Sequence, residues 1–210
     1  MSEVDAFYGF QYKKRFYVVL SQDGLPSRLG MKIVQEILKG IKSKKLPLWL
    51  NSLRQCKIVF DDSIPTQEDL NEFRNYISSQ HSTDDWTFLD DYYIRTQSLE
   101  KIVDLGVILN SISAQGNPYV APYGYVLNYD DNRLDVYVEH NRIDSFDDRY
   151  GVPIPVLKER FPLGELTKET FQKVIDKYEK KIYESSSSDS ESSATDLDTE
   201  HSPEESESDN

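Results

Sequence analysis

The first apolar pattern along the chain has a period of two, which is the period of a half-buried β-strand. It is interrupted at Lys13-Lys14, where a turn would reverse the chain. The alternating apolar residues are Tyr8, Phe10 and Tyr12 before the turn and Phe16, Val18 and Leu20 after it. The pattern predicts a hairpin with one buried face. We expect it to end at Asp23-Gly24 and Pro26, because Gly24 can take a positive φ and Pro26 fixes its own φ.

A second alternating pattern lies later in the chain and is divided by the turn-forming run Asp130-Asp131-Asn132. Its apolar positions are Tyr125, Leu127 and Tyr129 before the turn and Leu134, Val136 and Val138 after it. Because neighbouring residues of a strand point to opposite faces, these side chains are predicted to share one buried face. The polar residues between them are predicted to face the other way: Asn128, Arg133 and Asp135.

Apolar residues recur with helical spacing between and after the hairpins. Helices are predicted over residues 29–44 and 47–56. Further helices are expected to begin after the capping residues Thr66, Ser98 and Thr167, whose hydroxyls can accept a free N–H of the first turn. The last of these helices has one continuous apolar face, made of Phe171, Val174, Ile175, Tyr178 and Ile182.

The hairpins and helices together define the fold class. Residues 1–183 are predicted to form a single globular α+β domain, in which two hairpins build one antiparallel sheet packed against three to four helices. Residues 57–60 have the composition of a short strand, and residues 86–93 fit either a helix or a strand. Residues 152–157 contain two prolines, which would confine a strand there to the edge of the sheet.

The composition changes completely after Tyr183. Residues 184–210 contain ten acidic residues and no Lys, Arg or aromatic residue, whereas residues 1–183 carry 27 acidic against 24 basic residues. Such a segment buries too little apolar surface to offset its chain entropy, so it is predicted to be disordered. Phosphorylation is predicted where an acid lies three residues later or a proline follows directly, at Ser186, Ser188, Ser193, Thr195 and Ser202. A purely solubilising tail explains the same composition.

Few residues of the body offer catalytic or metal-binding chemistry. Cys56 is the one cysteine, so a disulfide within the chain or a Cys-rich metal site is impossible. Its apolar neighbours favour a buried thiol over a nucleophile. His81 and His140 belong to no metal-binding motif, and turns and helix caps explain most of the paired aspartates. We therefore predict no metal and no cofactor.

Charge and hydropathy narrow the partners. The N-terminal sequence lacks the basic and apolar regions of a signal peptide, and no apolar run approaches the length of a membrane span. A soluble intracellular protein, cytoplasmic or nuclear and without a membrane partner, is therefore expected. The net charge of −13 argues against nucleic-acid binding, because phosphates would be repelled. The acidic tail favours a basic protein partner.

Three stretches of the chain together resemble a known family. They are YGFQYKKRFYVVLSQDGLPSRLG over residues 8–30, WTFLDDYYIRTQSLEKIVDLG over residues 86–106 and YGYVLNYDDNRLDVYV over residues 123–138. In this order they resemble a scattered family of uncharacterised small proteins found in phages, bacteria, fungi and large DNA viruses. The chain departs from the family pattern at Leu25, where an aromatic residue is usual, and at Ser98, where glycine is usual. The resemblance implies an α+β fold, and it implies no particular activity.

The turn from Gln22 to Gly30 is the candidate site that the sequence indicates. It leads from a strand into a helix, so its free N–H groups and the Arg28 guanidinium can hold an anion. Asp23 can act as a base or orient a partner, and Gly24 and Gly30 allow close approach of a ligand. The ordinary roles of Asp, Gly, Pro and Ser in turns explain the same residues without a ligand.

Two classes of function stay open at this point. The first is a non-enzymatic interaction or regulatory protein with a phosphorylatable acidic tail. The second is an enzyme or a small-ligand binder with its site at the turn, where Tyr129 or Tyr137 of the later hairpin would form a wall. A deep polar pocket in which Asp23, Arg28 and a tyrosine converge would favour the second class.

Overall fold

The fold is α+β, as predicted. The computed structural model describes residues 4–60, 62–77, 81–111, 121–139 and 155–179. The strands are β1 (Ala6–Tyr12), β2 (Arg15–Ser21), β3 (Lys57–Val59), β4 (Val107–Leu109), β5 (Tyr123–Asn128), β6 (Arg133–Glu139) and β7 (Pro155–Pro162). The helices are α1 (Met31–Lys42), α2 (Leu46–Leu53), α3 (Gln67–Glu72), α4 (Asp90–Thr96), α5 (Leu99–Asp104) and α6 (Lys168–Val174). Within these ranges the helices exceed the predicted three to four, because the region between the hairpins is divided into short segments.

The central sheet has five strands in the order β2-β1-β5-β6-β7, and β3 and β4 form a separate parallel pair. Both predicted hairpins are confirmed and lie in one sheet. However, β1 and β5 run parallel, with Ala6 opposite Tyr123 and Gln11 opposite Asn128. The prediction of an antiparallel sheet is wrong at this pairing, because the helical crossover between β2 and β5 returns the chain to the end where β1 begins. The predicted edge position of the proline-containing strand is confirmed for β7.

The first hairpin turns through Lys13 and Lys14, which have φ values of 51° and 60°. Two consecutive positive φ values give the tight turn whose twist matches that of the flanking strands. The register pairs Tyr8 with Val19, so Val18 lies on the opposite face from Tyr8. The predicted single buried face is therefore wrong. A two-residue turn pairs even-numbered with odd-numbered positions, and each face of the hairpin joins its own apolar cluster.

The second hairpin has the predicted register. One fully buried face carries Tyr125, Leu127, Leu134 and Val136. Asn128 faces the other way, is only 1% exposed, and donates from Nδ2 to Oδ2 of Asp135 at 2.8 Å. Because this bond satisfies the amide, the burial of Asn128 agrees with the predicted assignment of faces.

The helices pack against the sheet face that carries Tyr8, Phe10 and Tyr125. The predicted caps are confirmed, because each hydroxyl accepts the N–H of the third residue beyond it: Thr66, Ser98 and Thr167. Residues 86–93, which fitted either a helix or a strand, are helical and bring Trp86 into the core. Phe171 of α6 is fully buried, so the last helix belongs to the core as predicted.

The tips of the two hairpins meet at one end of the sheet, because β1 and β5 are parallel neighbours. Asp130 accepts the N–H of Lys13 on one carboxylate oxygen and the N–H of Lys14 on the other, each at 2.7 Å. Charge-assisted bonds of this kind are stronger than those between neutral groups. The second hairpin thus holds the tip of the first and fixes the position of Tyr12 and Arg15 beside it.

Candidate functional site

The predicted turn carries an ion pair rather than an open set of ligands. Arg28 Nη1 lies 2.5 Å from Oδ1 of Asp23, and the two side chains are 43% and 44% exposed. Asp23 takes the left-handed backbone conformation, with φ at 61°, in place of Gly24. Aspartate adopts this conformation more readily than most residues, so the turn is compatible with the sequence. The guanidinium and the carboxylate that were predicted to meet a ligand satisfy each other at the surface.

One of the N–H groups that were predicted to hold an anion already has a carboxylate partner. The N–H of Ser27 donates to Oε2 of Glu179 at 2.9 Å, and its hydroxyl donates to Oε1 at 2.6 Å. Ser27 belongs to a π-helical turn, Pro26–Gly30, that leads into α1, and Glu179 ends a second π-helical turn after α6. The Glu179 carboxylate thus fastens the second π-helical turn to the turn before α1.

The two glycines of the turn are needed for packing. A Cβ atom at Gly30 would lie 2.7 Å from the ring of Tyr125, and one at Gly24 would lie 2.2 Å from a methyl group of β1. The hydroxyl of Tyr125 donates to the carbonyl of Gly24 at 2.9 Å, so this tyrosine contacts the turn in the place predicted for Tyr129 or Tyr137. Ligand binding by the four predicted residues stays a prediction: Asp23, Gly24, Arg28 and Gly30.

A groove of about 900 Å³ opens at the other end of β2. It lies between the tip of the first hairpin and the connection from α2 to β3, and it is lined by Tyr12, Lys13, Arg15, Tyr17, Leu53, Arg54, Cys56 and Ile58. Leu53 is buried and Ile58 half-buried, whereas the three cationic residues are exposed. The groove therefore has an apolar base and cationic sides.

The cations of the groove, Lys13, Arg15 and Arg54, form no ion pair within the described ranges. Two of them lie against Tyr12. Arg54 Nε donates to its hydroxyl at 3.1 Å, and Lys13 Nζ lies 5.5 Å from the centre of its ring. Lys57, close by in sequence, is instead paired with Asp69 at 2.5 Å. The groove is thus a positively charged site in a protein of net charge −13.

The signal for this groove lay in the distribution of charge along the chain. Residues 1–60 carry eleven Lys and Arg but only four Asp and Glu, although the whole chain is acidic. The alternating pattern assigned Lys13-Lys14 to a turn, and the helical pattern placed Arg54 near the end of a short helix. Neither pattern indicated that these residues share a site. Their meeting depends on a contact between Tyr12 and Arg54, 42 residues apart, which no local pattern indicates.

Cys56 lines the groove, but its thiol has little reactivity. Its Sγ donates to the carbonyl of Ser52 at 3.3 Å, and burial raises the pKa of the thiol to about 11. At neutral pH almost no thiolate is present, and the thiolate is the nucleophilic form. This agrees with the prediction that Cys56 is a packing residue rather than a nucleophile.

The sequence also led to predictions on metal sites, membrane spans and the tail, and some of these predictions fall on residues outside the described ranges. No group of three His, Cys, Asp or Glu side chains within these ranges could hold a metal ion. His81 Nε2 lies 3.3 Å from Oδ2 of Asp91. None of the described helices has the length and hydropathy needed to cross a membrane. His140 and residues 184–210 lie outside the described ranges, with the predicted phosphorylation sites Ser186, Ser188, Ser193, Thr195 and Ser202, so the domain boundary and the disorder of the tail stay predictions.

Comparison of the chain with protein-family models, with curated proteins and with solved structures finds no match. The resemblance of the three stretches to a family of small proteins therefore stays a prediction. The structure itself defines an α+β protein with a mixed five-stranded sheet and a cationic groove beside the tip of its first hairpin. Its function is best argued from that groove.

Proposed function

We propose that this protein is a non-enzymatic interaction protein whose groove binds an acidic segment of a protein partner. One observation carries the proposal. Three exposed cations, Lys13, Arg15 and Arg54, line a single groove, and their side chains form no ion pair with a carboxylate of the described ranges. Cations grouped in this way attract and orient an anionic partner.

The chemistry of the groove suits a peptide segment. Tyr12 and Tyr17 supply amphipathic rings beside the charges, and tyrosine and arginine are enriched at protein interfaces. Leu53 and Ile58 offer apolar contacts to side chains between the acidic ones. A nucleic acid would extend beyond the groove, because its charges follow one another every few ångströms. A short acidic peptide needs only the charges that line the groove.

The groove supports binding better than catalysis. The described residues that line it include no His, Asp, Glu or Ser, which are common catalytic bases and nucleophiles. The sulfur of Cys56 is held in the protonated form by burial, which raises the pKa of the thiol to about 11. These features favour an interaction protein over an enzyme at this site.

The acidic tail supplies a second binding surface of opposite sign. Its ten acidic residues suit basic partners, and phosphorylation at the predicted sites adds about −1.5 to −2 charges each. In this proposal the protein connects an acidic partner at the groove with a basic partner at the tail. Phosphorylation then tunes the interaction at the tail.

The proposal is tested by titrating the full-length chain into a fluorescently labelled oligo-glutamate peptide at low salt and measuring anisotropy. Arg15→Glu and Arg54→Glu should each weaken binding by about tenfold, because each replaces an attraction in the groove with a repulsion. Lys168→Glu is the matched control, since it makes the same change of charge at an exposed position in the first turn of α6. It should leave the affinity unchanged.

Two results would contradict the proposal. Equal losses in all three variants would show that the peptide responds to net charge and not to the groove. Tighter binding of a labelled single-stranded oligonucleotide, with the same sensitivity to Arg15 and Arg54, would assign the groove to nucleic acid.

A further inference from the structure

We infer that the groove is a docking site for the chain's own acidic segment, residues 184–210, which competes there with acidic partners. The inference rests on the proposed function and names the regulation of the same groove. It would make this a self-masking interaction protein, in which access to the groove depends on the charge of the tail.

Charge complementarity is the first support. The groove presents the side-chain charges of Lys13, Arg15 and Arg54, which form no ion pair in the described part of the chain. Residues 184–210 carry ten acidic residues and no Lys or Arg, so they form the densest block of negative charge in the sequence. A tail without Lys or Arg brings no permanent positive charge that the cations of the groove would repel.

The second support is reach. Glu179, the last described residue, contacts Ser27, which follows Arg15 of the groove by twelve residues. A chain of that length spans at most about 40 Å, so the groove lies within roughly that distance of Glu179. The fourteen residues from Glu179 to Ser193 can extend over about 46–50 Å. Residues from Ser193 onward therefore reach the groove, and they include seven of the ten acidic residues.

The third support is the effect of tethering. A tethered segment acts at an effective concentration on the order of millimolar. Exposed ion pairs give only weak binding, with a dissociation constant that we expect to be of a similar order. The tail would then occupy the groove for half of the time or more and lower the apparent affinity for a partner by about two- to tenfold.

Phosphorylation would strengthen this competition. Ser193 and Thr195 lie within the part of the tail that reaches the groove, and each phosphate adds about −1.5 to −2 charges. Phosphates are also strong acceptors for arginine, of which the groove has two. A kinase acting on the tail would therefore reduce binding of acidic partners at the groove.

The test compares the full-length chain with a full-length variant in which the ten acidic residues of 184–210 are replaced by Asn or Gln. Two quantities are measured: the affinity for labelled oligo-glutamate and the rate at which iodoacetamide alkylates Cys56, the one cysteine, which lies in the groove. The neutral-tail variant should bind the peptide about two- to tenfold more tightly and alkylate faster. Both differences should vanish at ~0.5 M salt, where charges are screened within a few ångströms. A chain with the tail sequence scrambled but its composition kept should behave like the natural one.

The outcomes separate this inference from the proposed function. If both chains have the same affinity and alkylation rate, while Arg15→Glu still weakens peptide binding, the groove binds acidic partners but the tail does not occupy it. If neither chain binds the peptide, or binding is insensitive to Arg15 and Arg54, the proposed function fails and this inference fails with it.

Discussion

Carboxylates in this acidic protein act as caps for distant backbone segments. Glu36 of α1 accepts the N–H groups of Leu99 and Glu100 at 2.8 Å and 3.0 Å, and so caps the start of α5. Asp130 and Glu179 close two other turns in the same way. Each of these bonds neutralises a charge with backbone dipoles rather than with a basic side chain. The side chains of Lys13, Arg15 and Arg54 are left without an ion pair in the described ranges, which is one reason the groove is positive.

The pKa of the buried Asp69 carboxyl depends on its hydrogen-bond partners. Burial alone would raise the pKa of this carboxyl, but bonds from Lys57 and Thr66 outweigh it and lower the pKa below its ordinary value. A depressed pKa in the folded state stabilises the protein above the unfolded pKa of about 3.9, and the gain is lost as the pH falls through the folded value. Asp69→Asn should therefore destabilise by about 1–3 kcal/mol at pH 7 and by much less at acid pH.

Urea unfolding of both proteins at pH 7 and at about pH 3 measures this difference. Asp84→Asn is the matched control, because Asp84 is exposed, and it should change the stability by less than about 0.5 kcal/mol at either pH. A destabilisation by Asp69→Asn that persists unchanged at acid pH would show that the carboxylate charge is not what holds this turn.

Single residues could be predicted from the sequence where their partners are local. The caps Thr66, Ser98 and Thr167 were predicted because each bond spans only three residues. Glu36 and Glu179 were not, because their partners lie 63 and 152 residues away along the chain. Binding of an anion at the turn was a sound chemical expectation, and only the fold shows that Glu179 is placed there.

At the scale of elements, the last helix ties the end of the described chain to the core. Phe171 is fully buried, and its ring centre lies 6.0 Å from that of Phe161 on β7 and 6.3 Å from that of Tyr125 on β5. Phe171→Ala should cost about 3–5 kcal/mol, because it removes a buried ring and leaves a cavity. Chemical denaturation followed by circular dichroism measures the loss.

Gln172→Ala is the control for this helix, since Gln172 is exposed on the next position of α6. It should change the free energy of unfolding by less than about 0.5 kcal/mol. A loss for Phe171→Ala as small as that of the control would mean that α6 contributes little to the stability of the fold.

The existence of the elements was easier to predict than their mutual arrangement. Alternation predicted both hairpins. It predicted the faces of the second one correctly, because its apolar residues are odd-numbered before the turn and even-numbered after it, and the register pairs Leu127 with Leu134. In the first hairpin the same reasoning assigned Tyr8 and Val18 to one face. Because the first turn has two residues, even-numbered positions of β1 pair with odd-numbered positions of β2. Tyr8 and Val18 therefore lie on opposite faces.

At the scale of the whole molecule, the tail and the body are predicted to be separable. Truncation after Tyr183 should leave the melting temperature within a few degrees, because docking with a two- to tenfold effect adds only about 0.4–1.4 kcal/mol. Differential scanning calorimetry of the two chains measures the shift. A fall of ten degrees or more would show that residues 184–210 pack on the body as part of the fold, contrary to the predicted boundary.

The mixed sheet and the groove depend on contacts between distant segments, which local sequence patterns do not predict. The α+β class followed from the order of elements, but the parallel contact of β1 with β5 depends on how the crossover returns the chain. The groove depends in turn on the tip of the first hairpin lying beside the end of α2, where Tyr12 meets Arg54. The spacing of residues along the sequence predicts neither contact.

The parallel pairing of β1 with β5 has a consequence for synthesis of the protein. Tyr123 follows its partner Ala6 by 117 residues, so a ribosome adding about 5–20 residues per second makes the first hairpin roughly 6 to 23 seconds before the strand that completes it. During that interval the edge of β1 that pairs with β5 in the finished sheet has no partner. Unpaired strand edges recruit other chains, so the nascent protein carries an aggregation-prone edge until more than half of it has been translated.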